Sequence, residues 1–84
     1  MLNKYIIISR TNQMSKGLFE RFLSKIDILQ NVVGLHGPNR TINLKDGRVF
    51  IFVSEIEFYD NHYDSLHAIF IPDLEFENKF LKED

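Results

Sequence analysis

The chain has 84 residues, of which 44% are hydrophobic and 26% charged, and it contains no cysteine. This length predicts a single domain over residues 1–84, and the composition is that of a folded chain, not of a disordered one. The absence of cysteine excludes disulfides and thiolate metal sites and favours an intracellular, cytoplasmic protein. The apolar run over residues 5–8 is too short for a signal peptide or a membrane span.

The charges are distributed unevenly along the chain. Residues 1–50 hold eight lysines and arginines against three acidic residues, a balance of +5, and residues 51–84 have a balance of −7. Two interpretations follow. Either the two halves face each other in the fold and partly neutralise, or a basic and an acidic face bind different partners.

The first half predicts a strand, a helix and a second strand. Residues 4–9 are nearly all apolar and include aromatic and β-branched side chains, which is typical of a strand buried on both faces. Residues 14–29 have helical periodicity, and Thr11 or Asn12 is the expected cap. The predicted apolar stripe consists of Leu18, Phe22, Ile26 and Leu29, widened by Phe19 and Leu23. Residues 31–36 form the next strand, reached by a parallel crossover.

A hairpin is the clearest local signal. Residues 40–44 alternate between polar and apolar side chains, and Lys45, Asp46 and Gly47 supply a turn. The unbroken apolar run over residues 49–53 predicts that the returning strand is central in its sheet.

The remaining residues predict a loop, a strand and a short helix. Residues 55–66 mix acidic and aromatic residues, which favours a loop with one helical turn at most. Residues 67–71 predict a last buried strand, and 73–82 a short helix capped by Asp73. The fold class is therefore α/β or α+β: a two-layer mixed sheet of four to five strands with one main helix on a face, in the order β-α-β-β-β-β-(α).

Aromatic residues among acidic ones indicate a surface for a protein partner, since interface cores favour aromatic side chains. The tail is either part of the core or a contact with a partner, including a second copy in a homodimer. The candidate partner-binding residues are Phe58, Tyr59, Asp60, Tyr63, Phe76 and Phe80.

The sequence is also compatible with two other kinds of site. Basic side chains near strand ends and along the helix favour nucleic-acid binding, and these are Arg10, Arg21, Lys25 and Arg40. Imidazole and carboxylate groups suit a transition metal, and a small metal-dependent nuclease is predicted to use Asp60, His62, Asp64, Asp73 and Glu75, with His67 beside them.

Three stretches together resemble the core strands of terminase- and helicase-type P-loop ATPases. They are KYIIISRTNQMSKGLFERF (4–22), RTINLKDGRVFIFVS (40–54) and LHAIFIPDLE (66–75). The resemblance implies that Asp73 and Glu75 correspond to the carboxylates that hold Mg²⁺ and position water in that family. The chain has no phosphate loop, and Leu74 separates the two acids, which are adjacent in the family. The resemblance therefore implies a degenerate module related to DNA packaging that does not hydrolyse ATP alone.

The function that these observations favour is binding to a protein, without catalysis and without a cofactor. The size and composition are also those of a phage-encoded accessory or inhibitor protein, which would act in the host cytoplasm. Nucleic-acid binding and metal-dependent nuclease activity are the alternatives.

Overall fold

The computed structural model describes residues 3–61 and 68–81. Its strands are β1 (Lys4–Ser9), β2 (Val32–His36), β3 (Thr41–Leu44), β4 (Val49–Ser54) and β5 (Ile69–Pro72). Its helices are α1 (Asn12–Leu23), α2 (Ile26–Leu29), α3 (Glu55–Asn61) and α4 (Asp73–Phe76), and a π-helical turn over Glu77–Leu81 follows α4. Within these ranges no helix has the length and apolar character needed to cross a bilayer.

The five strands form one mixed sheet in the order β2-β3-β4-β1-β5. Strand β1 is parallel to both β4 and β5, and β3 is antiparallel to β2 and β4. The predicted α/β fold class and the central position of β4 are confirmed. Strands β1 and β2 run in the same direction, as the predicted crossover requires, but β3 and β4 lie between them.

The main core lies between one face of the sheet and the helices α1, α2 and α4. Phe22 of α1 is at its centre, with ring centroids 4.7 Å from Phe50 of β4 and 5.2 Å from Phe76 of α4. A smaller cluster on the opposite face brings Phe58 of α3 against Ile6, Val53 and neighbouring strand residues. Helices therefore lie on both faces, whereas the sequence predicted one main helix on one face.

The predicted helix over residues 14–29 is wrong in its continuity. Helix α1 begins earlier, where the Thr11 hydroxyl accepts a hydrogen bond from the Met14 amide at 3.1 Å. It ends at Leu23, because Lys25 has an extended backbone, and α2 starts a new helical segment. Leu18 and Phe22 are buried as predicted, but the break turns Ile26 and Leu29 outwards to solvent.

Two predictions for the second half also need correction. Residues 55–61 form the two-turn helix α3 in place of most of the predicted loop, and residues 62–67 lie outside the described ranges. The last strand is β5, which is an edge strand with only Ile71 fully buried. Its apolar run reflects contact with the main core on one face, through Ile69 and Ile71, and of Phe70 with Phe58 of α3 on the other, not a central position in the sheet.

The hairpin between β3 and β4 is confirmed. Gly47 has a φ of +94°, a backbone conformation that residues with a Cβ rarely adopt. The Asp46 side chain accepts hydrogen bonds from the Arg48 backbone amide at 3.0 Å and from its guanidinium at 2.8 Å. The turn predicted from the sequence is therefore present, and among residues 45–47 the glycine is the residue with a positive φ.

Candidate functional site

The carboxyl ends of β1, β4 and β5 meet at one edge of the sheet, because these three strands are parallel. From the end of β1 the chain passes to α1 on one face, and from the end of the neighbouring β4 it passes to α3 on the other face. Chain connections that leave adjacent strands towards opposite faces open a crevice between them, and this is where open α/β sheets bind ligands.

A crevice of about 490 Å³ lies at this edge. Its walls come from the ends of β1 and β5 and from the first residues of α1, α3 and α4. The side chains of Met14 and Leu74 are 46% and 71% exposed there. The lining residues are Ile8, Arg10, Met14, Glu55, Phe70, Pro72, Asp73 and Leu74.

A reciprocal capping box fixes the start of α3 beside the crevice. The Glu57 amide donates to the Ser54 hydroxyl at 3.2 Å, and the Glu57 carboxylate accepts from the Ser54 amide at 2.9 Å. The Arg40 guanidinium binds the same carboxylate and also donates to the Phe52 carbonyl at 3.1 Å. Helix α3 is thus tied to β4 at its first turn.

Helix α3, whose first residue Glu55 lines the crevice, also carries exposed apolar side chains. Ile56 and Tyr59 are each 72% exposed. Phe58 lies between Tyr59, at a ring distance of 5.9 Å, and Phe70 of the crevice wall, at 5.3 Å. The three helices that begin at this edge of the sheet, α1, α3 and α4, therefore each carry exposed apolar side chains.

The predicted partner-binding residues are in different environments. Tyr59 and Asp60 are exposed on α3, and Phe58 is half-buried against the sheet. Phe76 is completely buried, and its ring stacks on that of Phe80 at 5.0 Å. Tyr63 lies outside the described residues. The tail thus contributes Phe76 and Phe80 to the core and Leu74 to the exposed surface.

Three of the four predicted nucleic-acid-binding residues have intramolecular partners. Arg21 pairs with Glu77 at 3.1 Å, the Lys25 ammonium donates to the Phe80 carbonyl, and Arg40 binds Glu57. Arg10 is exposed and lines the crevice. The pairs Arg21–Glu77 and Arg40–Glu57 join the basic half of the chain to its acidic half, as the neutralising interpretation of the charge pattern expects.

The predicted metal-binding residues that the structure describes are spread over two helices. Asp60 is near the end of α3, whereas Asp73 and Glu75 belong to α4. Asp73 accepts a hydrogen bond from the Leu74 amide at 2.8 Å, and Glu75 pairs with Lys79 at 3.4 Å. His62, Asp64 and His67 lie outside the described residues, and among residues 3–61 and 68–81 no three His, Asp or Glu side chains are grouped as a metal site.

Sequence analysis did not identify Met14 as a site residue, and it included Ile56 and Leu74 only within the candidate segments 55–66 and 73–81, not among the named site residues. A signal for α3 was present, because Ser54 and Glu57 have the spacing of a capping box directly after an apolar run. No local signal marked Met14 or Leu74, since their exposure depends on which strand ends lie next to each other.

No family model, curated protein or solved structure matches this chain. The function is therefore inferred from the geometry of the described residues.

Proposed function

We propose that this chain is a small, non-enzymatic protein-interaction module that binds an apolar segment of a partner at the crevice. The supporting observation is the convergence of exposed apolar side chains on one end of the sheet. Met14, Leu74 and, on α3, Ile56 and Tyr59 are all large and at least 46% exposed. Met14 and Leu74 line the same recess, and exposed apolar side chains grouped in this way are typical of binding sites.

The shape of the surface supports binding of side chains in a recess. Ile8 and Phe70 form part of the wall, and Met14 and Leu74 stand at the rim. Met and aromatic side chains are enriched where proteins contact one another. An aliphatic or aromatic residue of the partner would enter the crevice and exclude water from these groups.

The charge around the crevice indicates the chemistry of the partner. Two acidic side chains, Glu55 at the start of α3 and Asp73 at the start of α4, line the crevice. Arg10 is the cationic side chain among the lining residues of the crevice. The partner segment should therefore combine apolar residues with flanking lysine or arginine, because complementary charges favour encounter and specificity.

A selection experiment tests this proposal directly. Peptides are selected from a displayed random library against the immobilised full chain, and one selected peptide is titrated into isotope-labelled protein. We expect enrichment of apolar residues beside lysine or arginine. The amide shifts should be concentrated at Ile8, Met14, Phe70 and Leu74.

Matched variants give the affinity readout. Leu74→Ala should weaken peptide binding about tenfold or more, which is the loss expected for a central contact residue. Leu35→Ala, at an exposed leucine of β2, should leave the affinity unchanged. Shifts that cluster away from the crevice, or equal affinity of Leu74→Ala and the unaltered chain, would refute the proposed site.

A further inference from the structure

Strand β2 is an edge strand that leaves one side of its backbone unpaired. It is the outermost strand on its side of the sheet, and among the described strands it pairs with β3 alone. None of its residues, Val32–His36, is acidic, lysine, arginine or proline. Natural proteins usually protect an edge strand with such residues, because an open edge pairs with other strands.

The other edge of the sheet differs in this respect. Strand β5 has four residues and ends at Pro72, which has no N–H to donate to an added strand. The acidic residue Asp73 follows directly. The two edges are therefore unequal, and β2 is the one that can accept a strand.

The hydrogen-bond pattern shows which backbone groups of β2 are free. The Leu44 amide donates to the Arg48 carbonyl, and the Phe52 amide donates to the Arg40 carbonyl. Both bonds join β3 and its flanking residues to β4, so residues 40, 42 and 44 direct their backbone N–H and C=O groups to β4. Because these directions alternate along an antiparallel strand, residues 41 and 43 face β2, where they are paired with residues 36 and 34. Between those two, Leu35 directs its N–H and C=O to the open edge.

We propose that β2 pairs with β2 of a second copy of this chain, antiparallel and with Leu35 facing Leu35 on the two-fold axis. This surface is separate from the crevice and does not depend on the proposed partner binding. At this register each Leu35 donates to and accepts from its counterpart, which satisfies the free groups of both strands. The register of β2 shifts between Val32 and Gly34, so we do not expect a regular hydrogen-bonded ladder to continue from Leu35 towards the start of the strand.

A second copy is the occupant that the charges favour. No residue of β2 is acidic, lysine or arginine, and with Leu35 opposite Leu35 each His36 lies opposite Gly34 of the other copy, so two copies meet without like charges across the pair. The Leu35 and Val33 side chains are 53% and 63% exposed, and the exposed Ile26 and Leu29 of α2 precede β2 in the chain. A five-residue strand forms a small interface, so the dimer should be weak and dependent on concentration.

Cysteine cross-linking tests the register. The chain has no cysteine of its own, so a single Leu35→Cys substitution introduces the only thiol. Facing residues in a hydrogen-bonded antiparallel pair have Cα atoms about 5.5 Å apart, which is within the range for a disulfide. Under mild oxidation Leu35→Cys should form a covalent dimer several times faster than Leu74→Cys, a control at the crevice whose position is more exposed than that of Leu35.

Mass measurement in solution gives the second readout. The mass of the unaltered chain should rise from 10.0 kDa towards twice that value as its concentration increases. Leu35→Lys should remain at the monomer mass and Leu74→Lys should dimerise normally, with circular dichroism showing that both fold. A chain that stays monomeric throughout, a dimer that Leu35→Lys does not dissociate, or equal cross-linking of the two cysteine variants overturns the proposal. These outcomes are independent of peptide binding at the crevice.

Discussion

The hydroxyl groups of Ser9 and Ser15 are buried without a hydrogen-bond partner among the described residues. Ser9 ends β1 and Ser15 lies in the first turn of α1, so both are close to the chain segment that leads into the crevice. A buried hydroxyl loses its water without compensation, which destabilises the folded state. The folded state should therefore be less stable with serine at these two positions than with a small apolar side chain.

Ser15→Ala should raise the free energy of unfolding by about 1 kcal/mol. The substitution removes an unpaired buried hydroxyl and places alanine, the best helix former, in α1. Urea denaturation followed by circular dichroism measures the change. Ser24→Ala is the control at the end of the same helix, where the exposed hydroxyl donates to the Arg21 carbonyl and little change is expected. A loss of stability in Ser15→Ala would contradict the prediction.

Among the secondary-structure elements, α3 depends most on its terminal residues. None of the residues of α3 whose side chains are described is fully buried, so its attachment relies on the Ser54–Glu57 capping box and on Arg40. Sequence periodicity could not predict this helix, because its acidic residues and aromatics do not form a single apolar stripe. The sequence signal that indicates this helix is the spacing of Ser54 and Glu57, which is local.

Ser54→Ala should lower the free energy of unfolding by about 1 kcal/mol, because it removes the acceptor for the Glu57 amide. Hydrogen exchange should show the largest increase at α3. Ser54→Thr, which keeps a hydroxyl at the cap, is the matched control and should lose less. Uniform exchange changes over the whole chain would argue against a local role for the cap.

The hairpin turn should make stability depend on pH. The hydrogen bond from the Arg48 backbone amide, together with the Arg48 guanidinium, lowers the pKa of the Asp46 carboxyl. Because the folded pKa lies below the unfolded one, this contribution is present above the unfolded pKa and is lost as the pH falls through the folded pKa.

Urea denaturation at a series of acidic pH values checks this effect. Asp46→Asn should give a shallower fall of stability between neutral and acidic pH than the unaltered chain. The side-chain carboxyl signal of Asp46 in an NMR titration should move at a lower pH than that of a free aspartate. A signal that moves at the ordinary pH or above would contradict the prediction.

At the scale of the whole molecule, α4 completes the main core. Phe76 contacts Phe22 of α1 and Phe52 of β4, at ring distances of 5.2 Å and 5.3 Å. The sequence left open whether the tail belongs to the core or to an interface, because four apolar residues interspersed with acidic and polar ones are compatible with either location. The exposure of Leu74 and the burial of Phe76 show that adjacent parts of the tail have different environments.

Phe76→Ala should lower the free energy of unfolding by about 3–5 kcal/mol, a large share of the total for a small domain. Denaturant unfolding measures it. Leu74→Ala, two residues away and exposed, should change stability by less than about 0.5 kcal/mol. Similar losses in the two variants would contradict the assignment of Phe76 to the core.

The strands and the hairpin could be predicted from the sequence because local patterns determine them. The apolar runs at residues 5–8 and 49–53 and the turn at Gly47 are examples. The order of the strands could not, because it depends on contacts between distant segments. The site followed from that order: Met14 and Leu74 lie together only because β5 lies beside β1.

The central pairing of β1 with β4 joins residues that are far apart in sequence, with Lys4 opposite Val49. Such distant pairings close slowly during folding, whereas the meander β2-β3-β4 consists of neighbours and forms by short loops. We expect β1 to join the sheet after the meander has formed. The crevice lies at the end of β1, so we expect it to form only after this late pairing is complete.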